Sequence, residues 1–297
     1  MSVGHPIPPA LREWAQGIVG PVRSARNVSH DRPNSRVWEL TCDTERVFAK
    51  LSPNPKFFGR ETRALREVAP GLQPGTVPLL RGTDPHQQAL LLSLVAGSPV
   101  KSLSLTPAEQ RALHRQAGSW LRRFHGGEND LCLQDRLDAA AEIARAAGGA
   151  DKHLERAGDL ISPAERRTVR RHASVLEHVG ALPAGYIHGD FQPRNWLLDS
   201  DRRSSVFGAV DLERARPHAV VADVVPLACG PWAAHPALEE AFWTGYGREL
   251  TAEEERALRC LSALDAASAI SWGVPNGDRE IVERGRATLA RLEVQTA

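Results

Sequence analysis

The chain changes character at Ala96-Gly97-Ser98-Pro99, and this break constrains the fold more than any other feature. Before it, side chains follow strand-like patterns. Ser35 to Thr41 alternates apolar and polar, Arg46 to Leu51 follows across a turn-like Cys-Asp-Thr-Glu, and Ala89 to Val95 is apolar enough to be buried. Two helical segments accompany them: residues 8–18, and Lys56 to Val68, which is opened by Pro55 and closed before Pro70-Gly71. After the break, Ala/Leu/Arg-rich stretches take a helical period. Thr106-Pro-Ala-Glu109 and Ser162-Pro-Ala-Glu165 carry the pattern of capped helix starts, predicting helices to about His125 and Val179. A β-type interlude covers Tyr186 to Val210. The expectation is an α+β, bilobal protein: a β-rich lobe over residues 1–96 and a larger, mainly helical lobe over residues 97–297.

Composition excludes several classes. Over 297 residues, Lys+Arg 37 against Asp+Glu 36 gives a net charge of +1, without the basic surplus that a generic nucleic-acid binder needs. The longest apolar stretch, Ala219 to Gly230, is interrupted by Asp223 and Pro226 and falls short of the ~20 residues that span a bilayer. The N-terminus has no cationic segment followed by an apolar core, so it does not read as a secretory signal. Cys42, Cys132, Cys229 and Cys260 are scattered, with no CxxC pair, and read as reduced thiols of a cytoplasmic protein. Only Lys50, Lys56, Lys101 and Lys152 are lysines, so a lysine inside a strand stands out.

The chemistry concentrates in His188-Gly-Asp190-Phe-Gln-Pro-Arg-Asn195, which leads into an apolar strand. An Asp with an Asn five residues on is the phosphoryl-transfer arrangement. The carboxylate receives the hydroxyl proton while the amide oxygen of the same tight loop reaches a magnesium ion. A turn with an Asx motif would use the same residue types. Further on, Ser204 to Asp211 is an apolar strand that ends in an acid, supplying the hard anionic oxygen that Mg²⁺ prefers. Upstream, Lys50 at the end of Val47-Phe-Ala-Lys50 precedes Glu61 in the predicted helix, the pair by which kinases hold phosphates. No GxGxxG is present. The candidate phosphate-covering loop is residues 27–36, with Asn34 and Ser35 as donors.

In this order, Ala49-Lys50, Glu61, the run Leu91 to Gly97, Phe124-His125, the 188–195 loop, Val210-Asp-Leu-Glu213 and Asp223 resemble the aminoglycoside phosphotransferase and choline kinase-like family. The resemblance implies a protein-kinase-like fold and an ATP- and Mg²⁺-dependent O-phosphotransferase, with GTP left open as the donor. It implies Asp190 as catalytic base, Asn195 and Asp211 as metal ligands, and Lys50 with Glu61 on the phosphates. Adenine would be held near Ser93 to Val95, and Asp223 would be a structural partner. Arg194, Leu212 and Arg216-Pro217-His218 depart from the family pattern, which bears on loop shape and substrate preference more than on the reaction.

The acceptor reads as a small molecule with a hydroxyl group. Asp211 and Asp223 are too close in sequence for a long activation segment, no Ala-Pro-Glu follows, and Gly189 replaces the arginine of HRD. An antibiotic is the first acceptor class and a metabolite such as choline, a sugar or homoserine the second; a catalytically inactive nucleotide-binding protein is the rival reading. Residues 217–297 hold twelve acids against seven arginines, which suits a cationic acceptor, although Glu253-Glu-Glu255 equally suits a helix dipole. Asp265 and Trp272 share a helical face and are candidate acceptor contacts; a buried core tryptophan is the alternative for Trp272. His125 reads as packing between lobes and His188 as orienting the catalytic loop. A monomer and a homodimer are both compatible with the sequence.

Overall fold

The computed structural model describes residues 5–29, 36–126, 130–200 and 205–294. The strands are β1 (Val22–Asn27), β2 (Val37–Cys42), β3 (Arg46–Leu51), β4 (Leu80–Asp84), β5 (Ala89–Ser93), β6 (Ser98–Pro99), β7 (Ala184–Ile187), β8 (Trp196–Asp199), β9 (Val206–Ala209) and β10 (Arg216–Ala219). The helices up to residue 176 are α1 (Pro9–Val19), α2 (Pro55–Glu67), α3 (Pro107–His125), α4 (Leu133–Gly148), α5 (Ala150–Ala157) and α6 (Pro163–Leu176). They continue with α7 (Val225–Cys229), α8 (Pro231–Ala234), α9 (Pro236–Tyr246), α10 (Ala252–Gly273) and α11 (Arg279–Val294).

These elements form two compact units: Met1–Ser104 with Pro193–Arg216, and Leu105–Gln192 with Pro217–Ala297. The division differs from a cut at residue 96. β8 pairs with β6, and the Ala209 N–H of β9 donates to Thr76 O at 2.9 Å, so backbone bonds carry residues 193–216 back to the first unit.

In the first unit, an antiparallel sheet runs β1-β2-β3-β5-β4, with β3 at its centre. Leu11 and Ala15 of α1 join Trp38, Leu40, Val47, Ala49, Leu51 and Leu91 in one buried cluster. Alternation along β3 then turns Lys50 to the sheet face opposite that cluster. β1 and β4 are strands the sequence reading passed over: they expose much of their length and lack its clean alternation. Asn54 starts α2 by accepting the Phe57 N–H at 2.9 Å, and Pro55 fits the first turn. The buried face of α2 includes Glu61 beside Thr62, Ala64 and Leu65.

The second unit is mainly helical. Capping boxes form at Thr106/Glu109, Ser162/Glu165 and Thr251/Glu254, starting α3, α6 and α10. α10 packs against α5, α6, α7 and α11, and most of its length is buried. α3 and α9 approach closely through glycines. A Cβ on Gly245 would lie 1.8 Å from Arg115 O, and one on Gly118 would lie 2.1 Å from Phe242 O. β7 pairs with β10. Among the described residues, no helix is long and apolar enough to cross a membrane.

Candidate active site

Each unit builds its own constellation. In the first, Lys50 Nζ lies 2.6 Å from Asp211 Oδ1, 2.8 Å from Glu61 Oε2 and 3.1 Å from Glu213 Oε2. The central strand supplies the lysine and the buried face of α2 supplies Glu61. Asp211 and Glu213 follow β9, and Asp211 holds a left-handed φ of 71°. Asp tolerates that conformation better than most residues do, and such strain clusters at functional sites.

Burial alone would lower the Lys50 pKa, but Asp211, Glu61 and Glu213 together hold it well above the ordinary lysine range, so the ammonium stays charged. Burial pushes Glu61 up to about 7 against the opposing charge and hydrogen bond of Lys50, with Asp211 and Glu213 adding smaller upward pushes. One ammonium against three carboxylates leaves the cluster short of positive charge.

Asn195 is buried, and its carbonyl accepts the Val210 N–H at 3.0 Å. Because Trp196 pairs with Ala209 in the β8–β9 ladder, Asn195 and Asp211 emerge at the same end of that hairpin. Ser93 uses its hydroxyl to accept the Leu79 N–H at 2.8 Å, bracing β4 against β5. Val95 is buried beneath Gly208. Asn34 and Ser35 lie outside the described residues.

In the second unit, Asp190 sits half-buried on the loop after β7, and Gln192 Nε2 donates to its Oδ1. Gly189 adopts φ 78°, which explains glycine where HRD has arginine. Phe191 is fully buried and stacks on Trp120 at 5.7 Å, anchoring the loop to α3. His188 is fully buried edge-on to Phe191, consistent with orienting the loop.

Asp223 fixes the same loop by its backbone. Its Oδ1 accepts the Gly189 N–H at 2.7 Å, and its Oδ2 accepts the His188 N–H at 2.7 Å. His125 Nε2 lies 3.0 Å from Oδ2, and its Nδ1 lies 2.7 Å from Tyr246 Oη. Burial would raise the Asp223 pKa, but the hydrogen bond and charge of His125, together with His188, hold it below the usual carboxylate value. His125 thus bonds inside the second unit, where the sequence reading had it packing between lobes. Tyr246 was missed; the one available signal is that the chain contains only two tyrosines.

Asp265 pairs with Arg284 at 2.8 Å. Its pKa is raised by burial and by the charge of Asp190, with Arg284 and His153 opposing, so Asp190 and Asp265 share one electrostatic field. Trp272 is 40% exposed on α10, which rules out the core alternative. The Glu253–Glu255 run serves the helix. Glu254 caps α10 and accepts two bonds from Arg248, while Glu253 accepts the Gly180 N–H at 3.0 Å.

Residues 24–260 match the family model described as "Phosphotransferase enzyme family". Solved structures share the fold. A macrolide 2'-phosphotransferase, MphH from Brachybacterium faecium, aligns at 19% identity and TM-score 0.62, covering 94% of this chain and 96% of that one. An aminoglycoside 2'-phosphotransferase-IIIa in its GDP complex aligns at 11% identity and TM-score 0.68, covering 96% and 99%. A choline/ethanolamine kinase family protein from Mesorhizobium loti aligns at 17% identity and TM-score 0.63, covering 96% and 94%. No curated protein matches the chain by sequence.

Proposed function

We propose, from the premise that the chain belongs to the phosphotransferase enzyme family, that it moves the γ-phosphoryl group of ATP to a hydroxyl of a small-molecule antibiotic. The observation that carries this reading is Lys50 held by Glu61, Asp211 and Glu213, drawn from two segments 161 residues apart in the case of Asp211. A lysine fixed beside surplus carboxylates suits a polyanion that arrives with a divalent cation, and phosphates are the polyanion this family handles.

The acidic excess and the hard oxygen donors fit Mg²⁺. Asp211 and Asn195 would hold the ion, which supplies charge neutralisation on the phosphates. Lys50 binds phosphate oxygens and Glu61 keeps the ammonium in place. Asp190 receives the proton of the acceptor hydroxyl as its oxygen bonds to the γ-phosphorus, and the bond from that phosphorus to the β–γ bridging oxygen breaks. Gln192 restrains the Asp190 carboxylate. Catalysis of this kind is mostly positioning, so the fixed loop backbone matters as much as the base.

The solved neighbours named for macrolides and aminoglycosides support an antibiotic acceptor, and a GDP complex among them supports a purine nucleotide donor. Asp265, electrostatically linked to Asp190, and the exposed ring of Trp272 supply a polar contact and a stacking surface for the acceptor. The choline/ethanolamine neighbour supports a metabolite acceptor as the second reading. The test is a panel of antibiotics and metabolites incubated with Mg·ATP and read by mass. One class should gain about 80 Da, the mass of a phosphoryl group. Gain on a metabolite alone would select the second reading, and no gain on any acceptor would sink both.

A further inference from the structure

The geometry points to Tyr246 as a remote positioning residue of the catalytic loop, acting through His125 and Asp223. The inference rests on the reading of Asp190 as the base, because it concerns the backbone that carries that residue.

The chain of bonds is continuous and buried. Tyr246 Oη lies 2.7 Å from His125 Nδ1, and His125 Nε2 lies 3.0 Å from Asp223 Oδ2. Asp223 then accepts the backbone N–H groups of His188 and Gly189, both at 2.7 Å, immediately before Asp190. His125 and Asp223 have side-chain exposures of 1% and 0%, so water does not compete for these bonds.

The two nitrogens of the imidazole are fixed by different partners. The Asp223 carboxylate facing Nε2 keeps a ring proton there. Burial pushes Tyr246 up to about 12, so its hydroxyl stays protonated and partners Nδ1. Without that hydroxyl the buried Nδ1 loses this partner, and the ring loses one of the two restraints on its tilt. A tilted ring weakens the Nε2 bond to the carboxylate that holds the loop.

The fold keeps the hydroxyl aimed. Gly118 and Gly245 let α3 and α9 approach closely enough to bring Tyr246 to His125. The ring stacks on Phe242 at 6.0 Å, and the Arg248 guanidinium lies 5.5 Å from its centroid, itself held by two 2.7 Å bonds to Glu254. Arg122 covers the same ring at 5.8 Å.

Tyr246→Phe in the full chain removes the hydroxyl and keeps the stacking. By nitrogen-15 NMR, His125 Nδ1 should show a hydrogen-bonded shift in the wild type and lose it in the variant, with the Nε2 proton kept in both. Amide hydrogen exchange at Gly189 should quicken. Turnover should fall roughly fivefold to tenfold, the scale of one oriented hydrogen bond, while KM for ATP stays within about twofold. His125→Gln, which can place a donor near the Nε2 position, should retain more turnover than His125→Leu. Wild-type kcat with an unchanged Nδ1 shift in Tyr246→Phe would overturn the inference, as would a loss shared equally by kcat and the nucleotide KM. If the wild type phosphorylates no acceptor, the functional reading fails, while the Nδ1 shift and the Gly189 exchange still decide whether the relay exists.

Discussion

Around Lys50 one ammonium meets three carboxylates, whereas around Asp223 one carboxylate meets three donors. The first cluster keeps access to water, with the Asp211 and Glu213 side chains 33% and 21% exposed, and its charges do not balance. The second is closed, and each Asp223 oxygen is matched to donors. Unbalanced charge at an accessible site is a place for a ligand of opposite sign. A saturated, buried network is a place that must not change. On the proposed reading the two units divide the work: the first would exchange partners with a nucleotide and its cation, while the second holds a loop still.

The sharpest break in that comparison is Asp190→Asn, which should cut phosphoryl transfer by roughly 10²–10⁴-fold. Mg·ATP affinity, measured by calorimetry, should stay near wild type, because the variant touches the loop and leaves the Lys50 cluster intact. Next comes stability. Asp223→Ala strands the His188 and Gly189 amides and the His125 ring proton, and should cost about 3–5 kcal/mol in urea unfolding. Glu213→Ala, at a partly exposed pair, should cost about 1 kcal/mol or less in the same assay.

A third prediction concerns pH. The Asp223 pKa in the folded chain lies below its ordinary 3.8, so its contribution is complete above pH 3.8 and is lost as pH falls through the depressed folded value. The stability difference between wild type and Asp223→Asn should therefore be flat from neutral pH down to about 4 and shrink only below that. The smallest effect is chemical. Exposed Cys132 should react first with iodoacetamide at pH 8, while Cys229 and Cys260, both pushed to about 11 mainly by burial, should lag. Equal labelling would show that the interior of the second unit opens to water.

Much of this was legible in the sequence because its signals are local. Alternation placed Lys50 on a strand, Pro55 marked the start of α2, and Thr106 and Ser162 with their glutamates marked the starts of α3 and α6 within a residue, while α6 ends at Leu176 rather than near Val179. The loop around Asp190 stood out by spacing alone. What escaped depends on contacts between distant elements. Glu213 as a third partner for Lys50 requires knowing where the chain goes after Asp211. The Tyr246–His125 bond requires the α3–α9 crossing, which two glycines permit and no periodicity announces. The return of residues 193–216 to the first unit rests on the β6–β8 pairing, a two-residue ladder too short to leave a pattern. The acidic run at Glu253–Glu255 was readable either as an acceptor wall or as a complement to the helix dipole, and Glu254 in it is a helix cap with an arginine partner.

The most direct measurement is calorimetric titration of Mg·ATP into wild type, Asp211→Asn and Tyr246→Phe. The account predicts that Asp211→Asn weakens binding by more than about tenfold, while Tyr246→Phe binds like wild type. Unchanged affinity in Asp211→Asn would contradict the assignment of the Lys50 cluster as the place where nucleotide and metal bind.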